Sequence, residues 1–262
     1  MTEGSVLLDT RDGVATLTLN RPEHLNALDW ATVRELRACL ERVEAEAAVR
    51  VAVITGQGRA FSAGGDLKGY LSLFKRPDDL SRYLRDLYDA LDRIERSRLP
   101  VIAAVNGACV AGGIELMLAC DLAVASEDAR IGDGHLNFGQ IPGAGASQRL
   151  PRAIGAVRAK ELFFTGDLLT GREAERIGLV NRTVPADRLM VTVQELAQKI
   201  IAKSPLAVKG IKHLVNEGLR MDLREGLELE LRVMHDYATR SRDAMEGLLA
   251  FSEKRRPRFT GE

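Results

Sequence analysis

A strand–turn–helix pattern that occurs twice constrains the fold of this chain more than any other feature. The segments are VAVITGQGRAFSAGGDL at residues 51–67 and VIAAVNGACVAGGIEL at residues 101–116. Each begins with a short apolar run, which is typical of a strand buried on both faces. Each then passes through Thr-Gly or Asn-Gly to Ala-Gly-Gly, with an acidic residue at or near a helix start. The two segments together predict a repeated strand–turn–helix unit.

The rest of the chain also alternates predicted strands with predicted helices. We expect strands at 14–20, 49–56, 99–107 and 121–126, and amphipathic helices at 31–48 and 78–96. This alternation favours an α/β fold with at least partly parallel sheets. Beyond about residue 186 the helical periodicity becomes continuous. We therefore expect a core at 1–195 and a helical segment at 196–262 that packs on the core or on a neighbouring subunit.

Charge and composition exclude several classes of protein. The 262 residues contain 37 Lys plus Arg and 37 Asp plus Glu, so no net charge favours nucleic acid or an anionic membrane as the main partner. Three cysteines without a CxxC pair or a Cys/His cluster argue against a disulfide framework and a structural metal site. Neither a signal peptide at the acidic start nor a membrane span is predicted. These features favour a reducing, cytoplasmic environment.

The two Ala-Gly-Gly turns predict a site for an anionic oxygen. The first N–H groups of a helix have no intrahelical acceptor and carry a partial positive charge. Two facing turns would supply one N–H each, from around Gly65 and Gly112, to a single oxygen. That is the arrangement of an oxyanion hole, which stabilises an enolate or a tetrahedral form of a carbonyl. Each glycine pair could instead simply terminate a strand, and this alternative stays open.

An acidic residue follows each turn. Glu115 lies three residues beyond Gly112, in the first helical turn, where it could act as a general acid or base beside a polarised carbonyl. Asp66 opens its helix directly after the glycines and allows the same interpretation. For both residues the alternative is a carboxylate that is stabilised by the helix dipole.

Five stretches, in order along the chain, carry a specific resemblance. They are LNRPEHLNAL (19–28), ITGQGRAFSAGGDLK (54–68), VNGACVAGGIELMLACDLAVASEDARIG (105–132), GQIPGAGASQRLPRAIG (139–155) and AERIGLVNRTVP (174–185). They resemble the successive signatures of the enoyl-CoA hydratase/isomerase superfamily, the crotonases, and the resemblance covers essentially the whole chain. It implies a ββα spiral core with a C-terminal helical segment, assembled as a homotrimer or a dimer of trimers.

The resemblance also implies a substrate class and a set of binding residues. Members bind acyl-CoA thioesters and hold the thioester oxygen between two backbone N–H groups, which fall here on Gly65 and Gly112. CoA is then part of the substrate, and neither a cofactor nor a metal is implied. The implied CoA contacts are Ala63, Asp66, Lys68 and Arg21. For Lys68 and Arg21 the alternative is a solvated surface charge. Residues 70–84 are expected to line or cover the acyl pocket.

One position departs from the pattern of the hydratases. These enzymes use two glutamates to hold and activate a water; the first falls on Glu115, and the second falls on His135. Asp133 is near but displaced by two residues. His135 could replace the glutamate as acid or base, mark a different chemistry, or be structural. Related β-diketone hydrolases pair such a histidine with an aspartate at the position of Ala144, so their dyad is not expected here.

These residues leave three hypotheses of function open. The first is an enoyl-CoA hydratase that acts through a thioester enolate, with Glu115 and His135 as its acid/base pair. The second is an isomerase or a C–C or thioester hydrolase of the same family. The third is a non-catalytic acyl-CoA-binding protein. The remaining histidines, His24, His213 and His235, are interpreted as structural because no motif places them near the thioester.

Overall fold

A computed structural model describes residues 4–262, which contain ten strands. Residues 1–3 lie outside this range. They belong to the predicted core at 1–195 and to the acidic start, for which no signal peptide is predicted. The strands are β1 Val6–Arg11, β2 Val14–Leu19, β3 Val51–Gly56, β4 Ala60–Ser62, β5 Val101–Val105, β6 Ala108–Val110, β7 Leu122–Ser126, β8 Arg130–Gly132, β9 Leu169–Thr170 and β10 Arg182–Val184. They form a six-stranded sheet, β1-β2-β3-β5-β7-β10, and a four-stranded sheet, β4-β6-β8-β9.

Eleven α-helices accompany these strands in the described residues. They are α1 Trp30–Ala45, α2 Leu67–Leu73, α3 Pro77–Arg96, α4 Gly112–Ala119, α5 Ala146–Ile154, α6 Ala156–Thr165, α7 Gly171–Arg176, α8 Leu189–Ile201, α9 Pro205–Gly218, α10 Leu223–Arg240 and α11 Arg242–Ser252. A short 3-10 turn at His135–Phe138 follows β8. No helix among residues 4–262 is both long and apolar enough to cross a membrane.

From β3 to β8, successive strands alternate between the two sheets, which makes this part of the chain a spiral. Strands β3, β5 and β7 lie in parallel in the larger sheet, and the strand that follows each of them joins the smaller one. Strands β4, β6 and β8 are also parallel to one another. The ends of β4 and β6 therefore lie at the same edge of the smaller sheet. This topology confirms the predicted ββα spiral core with C-terminal helices.

The larger sheet is buried on both faces, as the apolar runs predict. Because side chains alternate along a strand, Ala52 and Ile54 of β3 pack in one cluster with α1 and α3. Val51 and Val53 point to the other face, where α8 covers them. The predicted boundary between residues 195 and 196 falls inside this covering helix.

The predicted strands and helices are confirmed, with their ends displaced by a few residues. They correspond to β2, β3, β5 and β7 and to α1 and α3. The short strands β4, β6 and β8 were not predicted. Three-residue strands are too short for alternation or an apolar run to be recognised.

The C-terminal helices are fixed to the core by a buried lysine. Lys212 of α9 donates from Nζ to the carbonyl oxygens of Ile94 and Leu99, at 2.8 and 2.9 Å, and to Oδ2 of Asp121 at 2.7 Å. A buried ammonium requires such partners because its desolvation is costly. By contrast, α9 and α10 themselves bury no residue fully in the single chain.

Candidate active site

The two Ala-Gly-Gly turns touch each other at the edge of the smaller sheet. A Cβ added to Gly64 would lie 2.8 Å from the backbone nitrogen of Gly112. A Cβ added to Gly112 would lie 3.4 Å from the backbone nitrogen of Gly65. Glycine is therefore required where the turns meet, since the contact is backbone against backbone and Gly64 also has a φ of +93°.

Both N–H groups predicted for the oxyanion hole are available to a ligand. Gly112 is the first residue of α4, so its N–H lacks an intrahelical acceptor. In the described part of the chain, the N–H of Gly65 has no hydrogen-bond acceptor. Ala111, which precedes Gly112, has φ +52° and ψ −117°, a strained conformation for a residue with a Cβ that costs about 1–3 kcal/mol. Such strain is concentrated at functional sites.

Glu115 is buried and held by amides from a distant segment. Only 2% of the residue is exposed, and its Oε1 accepts the N–H groups of Ala144 and Ala146 at 2.8 and 3.0 Å. Burial raises the pKa of this carboxyl, and the two backbone hydrogen bonds oppose the rise without cancelling it. A carboxyl with a raised pKa in a cleft is a candidate acid or base.

His135 forms a dyad with Asp133, a residue that the sequence shows to be near it without indicating the contact. Its Nδ1 lies 2.8 Å from Oδ2 of Asp133, whose side chain is fully buried. The backbone N–H of His135 also donates to Oδ1 of Asp133 at 3.2 Å. Asp133, two residues before His135, thus supplies the carboxylate that Ala144 cannot supply. A carboxylate at Nδ1 favours a proton there and leaves Nε2 as the ring atom for a ligand.

The pKa of His135 is raised despite burial. Burial alone lowers it, because the charged imidazolium loses its hydration. The hydrogen bond and the charge of Asp133, together with the charge of Glu115, outweigh that effect. The charges of the two groups favour each other's ionised forms, since His135 lowers the pKa of Glu115 and Glu115 raises that of His135. Burial still leaves the pKa of Glu115 raised overall, so its carboxylate forms only above that raised pKa.

A cavity of about 460 Å³ joins most of the predicted residues. Its lining includes five of the predicted site residues, Ala63, Gly65, Asp66, Lys68 and His135, and also Tyr70, Phe138 and His24. Gly112 and Glu115 are not among the described residues that line it. His24 thus lies at the cavity, although its structural interpretation stays a prediction. Unlike His213 and His235, it belongs to one of the stretches that carry the family resemblance, LNRPEHLNAL at 19–28.

Tyr70 lines the cavity, and the sequence indicates it only as a member of the range 70–84. Its hydroxyl contacts Gly65 on the side where a Cβ would stand. The same hydroxyl oxygen lies 3.4 Å from that of Tyr83, which donates its own proton to the carbonyl of Leu28 at 2.8 Å. Burial raises the pKa of Tyr70, and the nearby carboxylates raise it further. Tyr70 therefore stays protonated beside the turn.

Two of the predicted CoA contacts have partners within the chain. Arg21 donates from Nη1 to the carbonyl of Ala27 at 3.0 Å and pairs with Oδ2 of Asp29 at 2.9 Å. It is not among the described residues that line the cavity. Asp66 lines the cavity but accepts the N–H groups of Lys68 and Gly69, so its side chain caps α2. Within residues 4–262 no group of three His, Cys, Asp or Glu side chains could hold a metal ion.

Comparison with known proteins agrees with this geometry. The sequence profile of the enoyl-CoA hydratase/isomerase family matches residues 9–262. A "probable enoyl-CoA hydratase" of Rhizobium meliloti is 40% identical over 260 residues, which cover 99% of each chain. A "putative enoyl-CoA hydratase/isomerase" of Bacillus subtilis is 41% identical over 250 residues, or 95% of each chain.

A solved structure extends the likeness to the whole fold. The crystal structure of enoyl-CoA hydratase from Bacillus anthracis superposes with a TM-score of 0.94 at 38% sequence identity, covering 98% of this chain and 100% of that one. The two touching glycine turns, the buried Glu115 and the His135 dyad stand on that shared scaffold. The chain therefore belongs to the enoyl-CoA hydratase/isomerase family and is an enzyme of that family.

Proposed function

We propose that this enzyme adds water to a 2-enoyl-CoA thioester, with Glu115 and His135 as its acid/base pair. The observation that carries the proposal is the contact between the turns at Gly65 and Gly112, beside a carboxyl and an imidazole whose pKa values are both raised. CoA is part of the substrate. Its adenine end is assigned to the part of the cavity near Ala63, and Lys68 at the rim is an exposed cation suited to its phosphates.

The proposed addition of water moves two protons, one through Glu115 and one through His135. The Glu115 carboxylate accepts a proton from water while the water oxygen bonds to the β-carbon of the enoyl group. The electron pair of the double bond moves to the thioester oxygen, where the N–H groups of Gly65 and Gly112 stabilise the enolate. As the enolate collapses, protonated His135 delivers a proton from Nε2 to the α-carbon. Transfer of the proton from Glu115 to His135 restores the starting state.

The pKa directions support an acid role for His135. Asp133 and Glu115 favour the imidazolium, which donates a proton, over the neutral ring, which accepts one. Asp133 holds the ring at Nδ1, so Nε2 is the atom that points away from the dyad. Burial of the dyad beside the cavity excludes bulk water that would compete for the proton.

Hydrolysis is the second candidate, and the Asp133–His135 contact is the observation that favours it. A histidine–aspartate pair is suited to remove a proton from a water that attacks a carbonyl. That role requires a neutral imidazole, so it conflicts with the raised pKa of His135. The name of the Bacillus subtilis relative also keeps isomerisation as an outcome to be tested.

Product analysis with a matched pair of histidine variants tests the proposal. Purified enzyme is incubated with crotonyl-CoA and longer 2-enoyl-CoA substrates, and 3-hydroxyacyl-CoA, shifted double-bond isomers, free CoA and free acid are quantified. We expect 3-hydroxyacyl-CoA, and a loss of about 10²- to 10⁴-fold in kcat for His135→Gln, the range for one general acid. His213→Gln is the control, since His213 lies exposed on α9.

The other products each contradict hydration. Free CoA or free acid would identify a hydrolase, and a shifted double bond would identify an isomerase. Binding of acyl-CoA without any product, across the substrate series, would support the non-catalytic hypothesis. Full activity of His135→Gln would remove His135 from the mechanism even if hydration occurs.

The proposed assembly is a homotrimer or a dimer of trimers. The C-terminal helices expose large apolar side chains that a single chain leaves in water, among them Ile211, Leu219, Leu223, Leu231 and Phe251. Exposed apolar area of this extent favours association with other copies. Sedimentation equilibrium distinguishes the two assemblies and a monomer. The cytoplasmic location stays a prediction from composition.

A further inference from the structure

We infer that Arg149 is a positioning residue for Glu115 and acts through the backbone loop between them. The inference rests on the proposed function for its kinetic consequence only. The loop comprises residues 143–146, and two of its amides hold the Glu115 carboxylate, as described above. Nothing about Arg149 in the sequence distinguishes it from the neighbouring Arg152.

The guanidinium of Arg149 binds a carbonyl of this loop, whereas Glu115 binds the amides of the loop. Its Nη1 donates to the carbonyl oxygen of Ala144 at 2.6 Å, and its Nε donates to Oε1 of Glu95 at 2.6 Å. Only 15% of the side chain is exposed, so both hydrogen bonds are protected from water. Ala144 thus gives its N–H to Glu115 and its carbonyl to Arg149.

Gly145 shows how closely the guanidinium packs on the loop. A Cβ at this position would collide with Nη1 of Arg149. The φ of Gly145 is +114°, a conformation that other residues rarely adopt. The left-handed turn at Gly145 lets the amides on both sides of it, those of Ala144 and Ala146, converge on one carboxylate oxygen.

Glu95 fixes the other end of the arginine and connects it to the C-terminal helices. Its carboxylate lies 3.6 Å from Nη2 of Arg220, and its backbone carbonyl accepts a hydrogen bond from Asn216 at 3.0 Å. Glu95 lies near the C-terminal end of α3. A continuous set of contacts therefore runs from α9 and the α9–α10 connection through Glu95 and Arg149 to the carboxylate of Glu115.

Loss of the hydrogen bond between Arg149 and the loop should alter the ionisation of Glu115. The two backbone hydrogen bonds favour its charged form, so loosening them raises the pKa further. The other ionisable groups that face Glu115 are His135 and Asp133 from the β8 turn, and Tyr70 and Tyr83 from α2 and α3. In the described residues none of these four side chains forms a hydrogen bond with Arg149, and the charge of Arg149 is not among the causes of the Glu115 shift. A shift in Arg149→Met can therefore be assigned to the loop.

The experiment titrates Glu115 directly in the full-length chain. Protein labelled with ¹³C at the Glu δ-carbons is followed by NMR against pH, and the Glu115 resonance is identified by its absence in Glu115→Gln. We expect the midpoint of Glu115 to rise in Arg149→Met and to stay at the parent value in Arg152→Met. Arg152 is the matched control, since it lies on the same helix and its hydrogen bonds within the described residues go to Gln148 alone.

Kinetics provide the second readout. Arg149→Met should lower kcat about 10- to 100-fold, the cost of a small misplacement, with a much smaller change in KM. Arg149→Lys, which can still donate to Ala144, should recover part of both effects. An unchanged Glu115 midpoint in Arg149→Met overturns the inference. If Arg149→Met does not fold, Glu95→Gln is titrated in its place. The neutral amide holds the Arg149 guanidinium less strongly than the carboxylate, so the Glu115 midpoint should rise in this variant too. An unchanged midpoint in Glu95→Gln overturns the inference equally.

The titration separates this inference from the proposed function. It requires no turnover, so a shifted midpoint in an enzyme that does not hydrate enoyl-CoA would leave Arg149 as a positioning residue and remove only the hydratase assignment. Hydration of enoyl-CoA together with an unshifted Glu115 midpoint would support the hydratase assignment and would remove Arg149 as a positioning residue.

Discussion

The two Ala-Gly-Gly units begin alike and end in different structures. The first leads into α2, a seven-residue helix that buries only Leu73. The second leads into α4, in which every residue except Leu118 is fully buried. Asp66 accepts amides of its own helix, whereas Glu115 accepts amides of the distant loop at Ala144 and Ala146. The carboxylate of Asp66 therefore caps its own helix. The loop amides use only Oε1 of Glu115, which leaves Oε2 for a ligand.

The contact between the two units is the one feature whose loss is expected to lower both activity and stability. Gly64→Ala places a Cβ 2.8 Å from the Gly112 nitrogen and imposes a positive φ on alanine, so the turns must separate. We expect kcat for enoyl-CoA hydration to fall about 10²- to 10³-fold or more, the cost of an oxyanion donor. A lower thermal unfolding midpoint should accompany it. Gly69→Ala is the control, because a Cβ there meets only ordinary contacts of 3.5 Å and longer.

The next prediction compares the two acids by the same isosteric change. Glu115→Gln should lower kcat about 10²- to 10⁴-fold, because the amide cannot take a proton from water. Asp66→Asn should leave kcat near the parent value, since asparagine is as good a helix cap as aspartate. Steady-state kinetics and circular dichroism on both variants check this. Equal losses in the two variants would abolish the distinction between a capping and a catalytic acid.

A third test addresses the acyl side of the first turn. A Cβ on Gly65 would lie 2.6 and 2.8 Å from ring atoms of Tyr70, so Gly65→Ala should displace that ring and lower kcat/KM. Tyr70→Ala should open the cavity and raise kcat/KM for longer relative to shorter 2-enoyl chains. In a double-mutant cycle we expect the Gly65→Ala loss to shrink in the Tyr70→Ala background, with a coupling of about 0.5–3 kcal/mol. Strict additivity would mean that the two residues do not interact.

The smallest expected effect is a shift in pH dependence. In the proposed mechanism activity requires ionised Glu115 and protonated His135, so kcat/KM falls as pH drops through the raised pKa of Glu115 and as pH rises through the raised pKa of His135. Asp133→Asn removes a charge that raises the pKa of His135, so the alkaline limb should move to lower pH. Asp66→Asn should move neither limb. An alkaline limb that stays fixed in Asp133→Asn would assign it to another group.

The oxyanion turns and Glu115 could be predicted because local sequence determines them. Glycine at a strand end, followed by a helix start, sets both the backbone direction and the offset of the acid. The Asp133–His135 contact could not be predicted, because it depends on the left-handed turn at Gly134, with a φ of +65°. The ion pair between Arg21 and Asp29 could not be predicted either, since the sequence indicates no partner for Arg21. The CoA contact that the resemblance implies for Arg21 stays a prediction.

The remaining unpredicted contacts join residues far apart in the sequence. Tyr70 reaches Tyr83 only after α2 and α3 have packed together, and Arg149 reaches Glu95 across 54 positions. Neither pair leaves a periodic or spaced signal, since the separation of the partners is set by the tertiary structure. The family resemblance predicted the family and the fold, and it does not specify these supporting contacts.

The Asp133–His135 pair has a consequence for how such an enzyme can diversify. Both side chains and the glycine between them form a single tripeptide, so substitutions at three consecutive codons can install or remove the imidazole together with the group that orients it. The oxyanion turns and the helix that carries Glu115 are encoded elsewhere and stay intact during such a change. The side chains on one wall of the pocket can therefore be exchanged as a unit while the two glycine turns, the proposed oxyanion hole, are inherited unchanged.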